Sequence, residues 1–266
     1  RGEVALVTGA GSGIGRATAL RLGLEGCRVA VTDIDAEAAS ATADEIVGAG
    51  GTASSWAYDV TDPDRGVALA DEVSKSLGTV SILVNNAGIA VAGFFVDTSR
   101  ESFDRVVDIN LMGVVHGCRA FLPAMVESGR GGHVVNIASV LGQIGMGGVS
   151  AYCMTKFGVV GFSESLRAEM SSHGIGVSTI CPGMVRTSII DNGTLESGAP
   201  DLDQKREKIE ALFKKRNFPP ENVANAVVKS IRKNKGVVPV APEAWLAYYL
   251  KRWAPWLSYR FLRRIG

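Results

Sequence analysis

Short apolar runs alternate along this chain with helical segments of ten or more residues, and that alternation limits the fold more than any other feature. Runs at residues 4–7, 28–32, 52–58, 80–84, 132–137, 177–180 and 237–240 read as seven strands. Helical spacing follows the first strand through Ala19, Leu22 and Leu24, and recurs at residues 35–47, 63–76, 100–128, 152–172 and 222–232. A helix between two strands carries the chain back over the sheet, so the next strand lies parallel to the last. The expected architecture is α/β, a doubly wound parallel sheet with helices on both faces. At 266 residues, 46% of them apolar, the chain can bury the core of one large domain, and no linker or repeat divides residues 1–266.

Charge and cysteine usage narrow the classes further. A formal net charge of +1 lacks the basic excess of a nucleic-acid-binding protein. Cys27, Cys118, Cys153 and Cys181 show neither a disulfide framework nor paired metal spacing, so a reducing, cytoplasmic setting without a bound metal is expected. The sequence holds no uncharged apolar run of about 18 residues, so no spanning helix is expected.

Residues Gly9, Ala10, Gly11, Ser12, Gly13, Ile14 and Gly15 fall between the first strand and the first helix. Glycines permit a tight turn and close approach of backbone N–H groups to a pyrophosphate, whose charge the helix N-terminus favours. A lone glycine-rich run is weak; its place after the first strand strengthens it. No Lys-Ser/Thr pair follows, which excludes a nucleoside-triphosphate loop. Asp33 ends the second strand, where a carboxylate can accept both hydroxyl hydrogens of an adenosine ribose and would repel a 2′-phosphate. That favours NAD(H) over NADP(H). Arg16 either points toward the ribose or is a solvated first-turn residue. Asp35 is the expected cap of the second helix, and Asp59 is either a contact to the adenine edge or an ordinary turn residue.

Tyr152 and Lys156 are four apart on a predicted helix and so share a face. An ammonium near the phenol stabilises phenolate and lowers the tyrosine pKa from about 10. Ser139, just beyond the strand at 132–137, can hydrogen-bond a substrate oxygen. Each signal alone is weak, because tyrosine–lysine pairs are common on helices.

The ordered set resembles the short-chain dehydrogenase/reductase family, in its form with a Tyr-x-x-x-Lys helix, over essentially the whole chain to about residue 240. Thr8 to Gly15 match its cofactor loop, and Asn85, Asn86, Ala87 and Gly88 match its motif after the fourth strand. Asp59 and Val60 match its adenine contact. Asn110, Ser139, Tyr152 and Lys156 match its catalytic tetrad, and Pro182, Gly183, Val185 and Thr187 fall in its carboxamide-holding stretch. The resemblance implies a Rossmann-type fold and direct hydride transfer between a substrate carbon and the nicotinamide. Tyr152 would act as acid or base, Lys156 would hold the nicotinamide ribose, and Ser139 would polarise the oxygen. Asn110 would link Lys156 to solvent through its backbone and a water. It also implies a homotetramer or homodimer built through the helices near 101–128 and 152–172.

Substrate class rests on the variable positions. Leu141, Ile144, Met146 and Val149 lie between Ser139 and Tyr152, and Met184 follows the Pro-Gly turn. These apolar residues, without convergent arginines, suit a hydrophobic alcohol or ketone. Residues 184–218 are the expected substrate lid, with Arg186 the one charge in reach. Residues 243–266 form an aromatic and basic tail, with Trp245, Trp253 and Trp256 among Lys251, Arg252, Arg260, Arg263 and Arg264. Pro255 should split it into two short helices. The tail weakly resembles those of members acting on lipid-like, retinoid or steroid substrates. Burial of its rings over the pocket or at a subunit interface is weighed slightly above peripheral membrane contact. Two alternatives stay open: a 3-oxoacyl thioester reductase, for which no basic patch near the lid is evident, and a non-catalytic dinucleotide-binding regulator.

Overall fold

The computed structural model describes residues 2–185, 194–196 and 216–257. Seven parallel strands form one sheet: β1 (Val4–Thr8), β2 (Arg28–Asp33), β3 (Thr52–Ala57), β4 (Ile82–Asn85), β6 (Gly132–Ile137), β7 (Ile175–Pro182) and β9 (Val237–Val240). Their order is β3-β2-β1-β4-β6-β7-β9. A second, two-stranded parallel sheet pairs β5 (Val91–Ala92) with β8 (Thr194–Leu195). The sequence reading does not contain this small sheet, because two residues are too short to leave a periodic signal.

Six long helices cover the main sheet. On one face lie α1 (Gly13–Leu24), α2 (Ala36–Gly48) and α7 (Pro220–Arg232), packing Ala19, Leu22, Ile46, Val223 and Val227 against Val7, Val29, Val31 and Val135. On the other lie α3 (Pro63–Ser76), α5 (Gly113–Glu127) and α6 (Ser150–Met170), packing Leu69, Val73, Phe121, Met125 and Leu166 against Leu6, Ala30, Leu83 and Val134. Successive strand residues serve opposite faces, so both must be apolar; this is why the strands read as continuous runs. The helix starts are encoded locally. Asp35 caps α2 by accepting from Glu37 N at 3.0 Å and Ala38 N at 3.1 Å, as expected. Asp62 caps α3 on Arg65 N at 2.9 Å, with Pro63 opening the helix.

The helical region at 100–127 is interrupted. α4 (Arg100–Val107) runs into a π-helical turn at Asp108–Met112 before α5. Within Arg100–Glu127 an 18-residue window reaches a mean hydropathy of 1.3, a value that core helices of soluble proteins share. In the fold, α5 packs on α3 and β4 with Phe121 and Met125 buried. α8 (Pro242–Trp253) closes the described chain, and residues 255–257 resume a helical turn after Ala254.

One buried histidine couples this sheet to pH. His133 on β6 lies with its Nε2 2.7 Å from Ser178 Oγ, and Ser178 donates its own hydroxyl to Lys235 O at 2.5 Å. The histidine is therefore the donor and is neutral. Burial, then the nearby Arg167 charge, push its pKa down to about 4. The unfolded chain binds this proton nearer pH 6.5, so stability is complete above that value and falls as pH drops toward 4. The loss should approach about 3 kcal/mol. Thermal unfolding between pH 7 and 4 should show it, and His133→Gln, which keeps a donor without titrating, should flatten it.

Candidate active site

The strand order reverses between β1 and β4, which opens a crevice at their carboxyl ends. The singled-out residues collect along that edge. Gly9 to Gly15 follow β1, Asp33 ends β2, Asn85 ends β4, Ser139 lies two residues past β6, and Pro182 ends β7. Parallel pairing holds them level: Val7 is opposite Val84, Asn85 opposite Asn136, and Ile137 opposite Ile180.

The glycine loop has room only for glycine. A Cβ at Gly15 would lie 2.0 Å from Gly9 O, and one at Gly11 would lie 2.6 Å from Ala38 Cβ. Gly9 has φ of +62° and Gly13 of +54°, values that disfavour side chains. Thr8 Oγ1 accepts from Asn86 N at 2.9 Å and Ala87 N at 3.1 Å, while Asn86 Nδ2 donates to Thr8 O and Gly9 O. The two loops flanking the crevice are thus tied together at its floor. Ser12 and Ile14 lie at the start of α1, whose first turn carries no acidic residue to compete with an anion.

Asp33 Oδ2 accepts from Gly11 N at 2.8 Å and Oδ1 from Asp35 N at 3.1 Å. Each carboxylate oxygen keeps acceptor capacity for a ribose hydroxyl. Arg16 pairs with Glu45 on α2, so of its two readings the structure takes the first-turn surface contact. Asp59 Oδ1 accepts from Thr61 N and Oγ1, a turn role. The Val60 carbonyl lies 3.0 Å from His116 Nδ1. Ile34, which the sequence reading passed over, is exposed beside Asp33 and offers an apolar platform for a flat base. A narrow glycine cradle, a helix N-terminus and a ribose-competent carboxylate fit a nicotinamide dinucleotide.

Deeper in the crevice, Ser139 lies near enough to Tyr152 for its hydroxyl to pull the phenol's pKa down against burial. Leu141 N donates to Ser139 Oγ at 3.1 Å, a bond that does not use the serine's own hydrogen. Lys156 is buried, donates to Ile137 O at 3.1 Å, and has its Nζ 5.5 Å from the centre of the Tyr152 ring. The expected lowering of the Tyr152 pKa by this lysine is corrected here. Burial pushes Tyr152 up to about 12 against the opposing influence of the Ser139 hydroxyl, and burial pushes Lys156 down to about 8. Desolvation acts on both charged forms and outweighs a contact that is not a direct hydrogen bond. Lys156 still keeps its proton at neutral pH, so an ammonium lies beside the Tyr152 ring there.

Asn110 sits fully buried in the π-helical turn. Its side chain makes two bonds to Ile89, accepting from the backbone N at 2.8 Å and donating to O at 2.9 Å. These two bonds hold the side chain in place beside the widened turn. A Cβ at Gly88 would meet Asn110 Oδ1 at 3.1 Å and Lys156 Nζ at 3.6 Å, so Gly88 keeps the space between them clear.

Leu141, Ile144, Val149 and Met184 are half-buried along the path beside Ser139 and Tyr152, and Met146 is exposed. Val185 is buried in the hydrophobic cluster that includes Val223 and Val240. Thr187, Arg186 and most of the expected lid lie outside the described residues. Two acids that the sequence reading missed bind the described parts of that region. Glu243 accepts from Met184 N at 3.1 Å and Arg216 at 3.0 Å, joining residues from both ends of it. Glu196 accepts from Ser99 N at 2.6 Å, from Ser99 Oγ and from Ser102 Oγ, anchoring its middle to the start of α4. Their partners are 27 to 97 residues away in sequence, beyond any local signal.

The family model for short chain dehydrogenase matches residues 3–196, a span that includes the cofactor loop and the Ser139, Tyr152 and Lys156 cluster. The chain belongs to the short-chain dehydrogenase family. A Mycobacterium tuberculosis protein named probable oxidoreductase EphD is 44% identical over 252 residues, 94% of this chain but 43% of that protein. The chain therefore spans less than half the length of this relative. Cyclohexanol dehydrogenase from an Acinetobacter species is 38% identical over 71% of this chain and 75% of its own. Among solved structures, a short chain dehydrogenase/reductase from Burkholderia phymatum in complex with NAD superposes with TM-score 0.88 at 28% identity, covering 96% and 94% of the two chains. A metagenomic short-chain oxidoreductase in complex with NADP gives 0.72 at 31% identity, over 90% and 96%. Short-chain dehydrogenases thus hold either dinucleotide on this fold.

Proposed function

We propose that this short-chain dehydrogenase is an NAD(H)-dependent oxidoreductase that interconverts a hydrophobic secondary alcohol and its ketone. The observation that carries the reading is the cluster of Ser139, Tyr152 and the buried Lys156, whose Nζ lies 5.5 Å from the centre of the Tyr152 ring, at the sheet edge that also holds the glycine cradle. The bound dinucleotide supplies the hydride acceptor or donor. Tyr152 takes the alcohol proton in oxidation and returns it in reduction, Ser139 orients the oxygen, and Lys156 compensates the phenolate charge. Apolar Leu141, Ile144, Val149 and Met184 favour a hydrophobic substrate, and the name of the cyclohexanol-oxidising relative supports that class. Exposed Met154 and Phe157 on α6, together with open space at Gly161, favour assembly of a homo-oligomer through that helix.

NAD(H) preference rests on Asp33 and on the pairing of Arg16 with Glu45. NADH should bind at least about tenfold more tightly than NADPH, since a hydrogen-bonded carboxylate meeting the 2′-phosphate loses about 1.5–3 kcal/mol. Asp33→Asn keeps an acceptor for Gly11 N, removes the charge, and should narrow the gap. Dissociation constants at one ionic strength check it; equal or tighter NADPH binding would exclude the preference. A panel of hydrophobic secondary alcohols and ketones tests the activity itself.

A further inference from the structure

The glycine cradle after β1 and Asp33 at the end of β2 suit the phosphate and adenosine parts of a dinucleotide. Its nicotinamide end then extends the other way, past β4 toward the ends of β6 and β7. Ser139, Tyr152 and Lys156 stand on that side, and so does the backbone of Gly183 and Met184, which follows β7. This backbone is held from two directions. Gly183 N donates to Val240 O, the last residue of β9, at 2.9 Å. Met184 N donates to Glu243 Oε1 at 3.1 Å. The carboxylate lies flat against the chain: a Cβ on Gly183 would be 2.4 Å from Glu243 Oε1. Its other oxygen, Oε2, accepts from Arg216 Nη2 at 3.0 Å. The Arg216 guanidinium in turn lies 5.2 Å from the centre of the Phe218 ring, which packs against the core. One carboxylate therefore fastens the backbone after β7 both to α8 and to a core-anchored arginine.

The turn that delivers Glu243 is strained. Ala241 has φ of +92° and ψ of 152°, a region that residues other than glycine rarely enter. Such a conformation persists only where its surroundings over-determine it, and it gathers at functional sites. Here it turns the chain from β9 into α8, with Pro242 opening the helix and Glu243 next. α8 packs on β9 and on the 3₁₀ turn Val140–Gly142 just beyond Ser139, so the helix that carries Glu243 braces both sides of the reactive cluster. We infer that Glu243 is a positioning residue for the nicotinamide end of the dinucleotide, acting through the backbone of Gly183 and Met184. The inference rests on the dinucleotide reading of the crevice and is independent of which alcohol is oxidised. Glu243 bonds neither to the glycine cradle nor to Asp33, so its loss should be felt at one end of the cofactor only.

The test compares the binding of NADH with that of ADP-ribose, which keeps the adenosine, both phosphates and the second ribose but has no nicotinamide. Calorimetric titration of the full chain gives both dissociation constants without any turnover. Glu243→Ala should raise the NADH constant at least about tenfold, the scale of one hydrogen bond to a charged group, and leave ADP-ribose binding unchanged. Glu243→Gln keeps an acceptor for Met184 N and should restore most of the NADH affinity. Arg216→Met releases the carboxylate on one side and should weaken NADH by a smaller factor. Added to Glu243→Ala it should cost nothing more, since both act through one carboxylate. Thermal unfolding reports the folding of each variant; should Glu243→Ala not fold, Arg216→Met carries the same contrast between the two ligands. A folded Glu243→Ala that binds NADH as the parent does overturns the inference. So does a parallel weakening of NADH and ADP-ribose, the mark of a general loss of structure. A parent that binds neither ligand overturns the dinucleotide reading itself, and the inference with it.

Discussion

Replacing Tyr152 with phenylalanine is expected to cut turnover at least about 100-fold, the lower end of what a positioned acid–base group contributes. The half-buried ring stays in place, so packing and dinucleotide affinity should change little. What is lost is the phenol oxygen and the proton it carries. Steady-state rates on an alcohol accepted by the parent, together with a separate NADH titration, distinguish loss of chemistry from loss of binding. Near-normal turnover in Tyr152→Phe would remove Tyr152 from the reaction.

Lys156→Met is the second large effect. Methionine preserves much of the buried stem and removes the ammonium, leaving a phenol whose pKa burial already pushes up to about 12. An opposite charge at about 4–6 Å is worth roughly one to three pKa units, so the phenolate available at neutral pH should fall about 100-fold. The sign follows directly. Oxidation needs Tyr152 as a base, so its rate rises with pH, and without the lysine charge that rise must move to higher pH. The variant should therefore recover part of its oxidation rate in alkaline buffer, where Tyr152→Phe does not. A pH–rate profile superposable on that of the parent would show that Lys156 does not tune the tyrosine.

These two substitutions also mark how far the sequence could be read. The i, i+4 relation of Tyr152 and Lys156 follows from helix geometry alone, and Asp33 follows from its place at the end of a strand. Ser139 and Tyr152 are separated by a 3₁₀ turn and a loop, yet the family pattern grouped them. The direction of the Tyr152 shift was misread because desolvation is a property of the folded surroundings, and a spacing rule sees only the lysine. Arg16 was left open between two readings; its partner Glu45 is 29 residues on, on the neighbouring helix. Glu196 and Glu243 left no trace, since a lone glutamate gains meaning only from the distant groups that it joins. The tail was left open between ring burial, over the pocket or at a subunit interface, and membrane contact; within the single chain α8 buries Ala244 and Ala247 and leaves Trp253 exposed.

The sequence by itself determined the parallel sheet, the phosphate-binding turn and the types of reactive group. Those depend on periodicity, on glycine where a Cβ cannot fit, and on residues a few positions apart. The tertiary structure alone decided which polar groups meet, how deeply they are desolvated and which face of a helix is left in water. Those quantities are set by elements brought together from tens of residues apart, and no local pattern along the chain carries them.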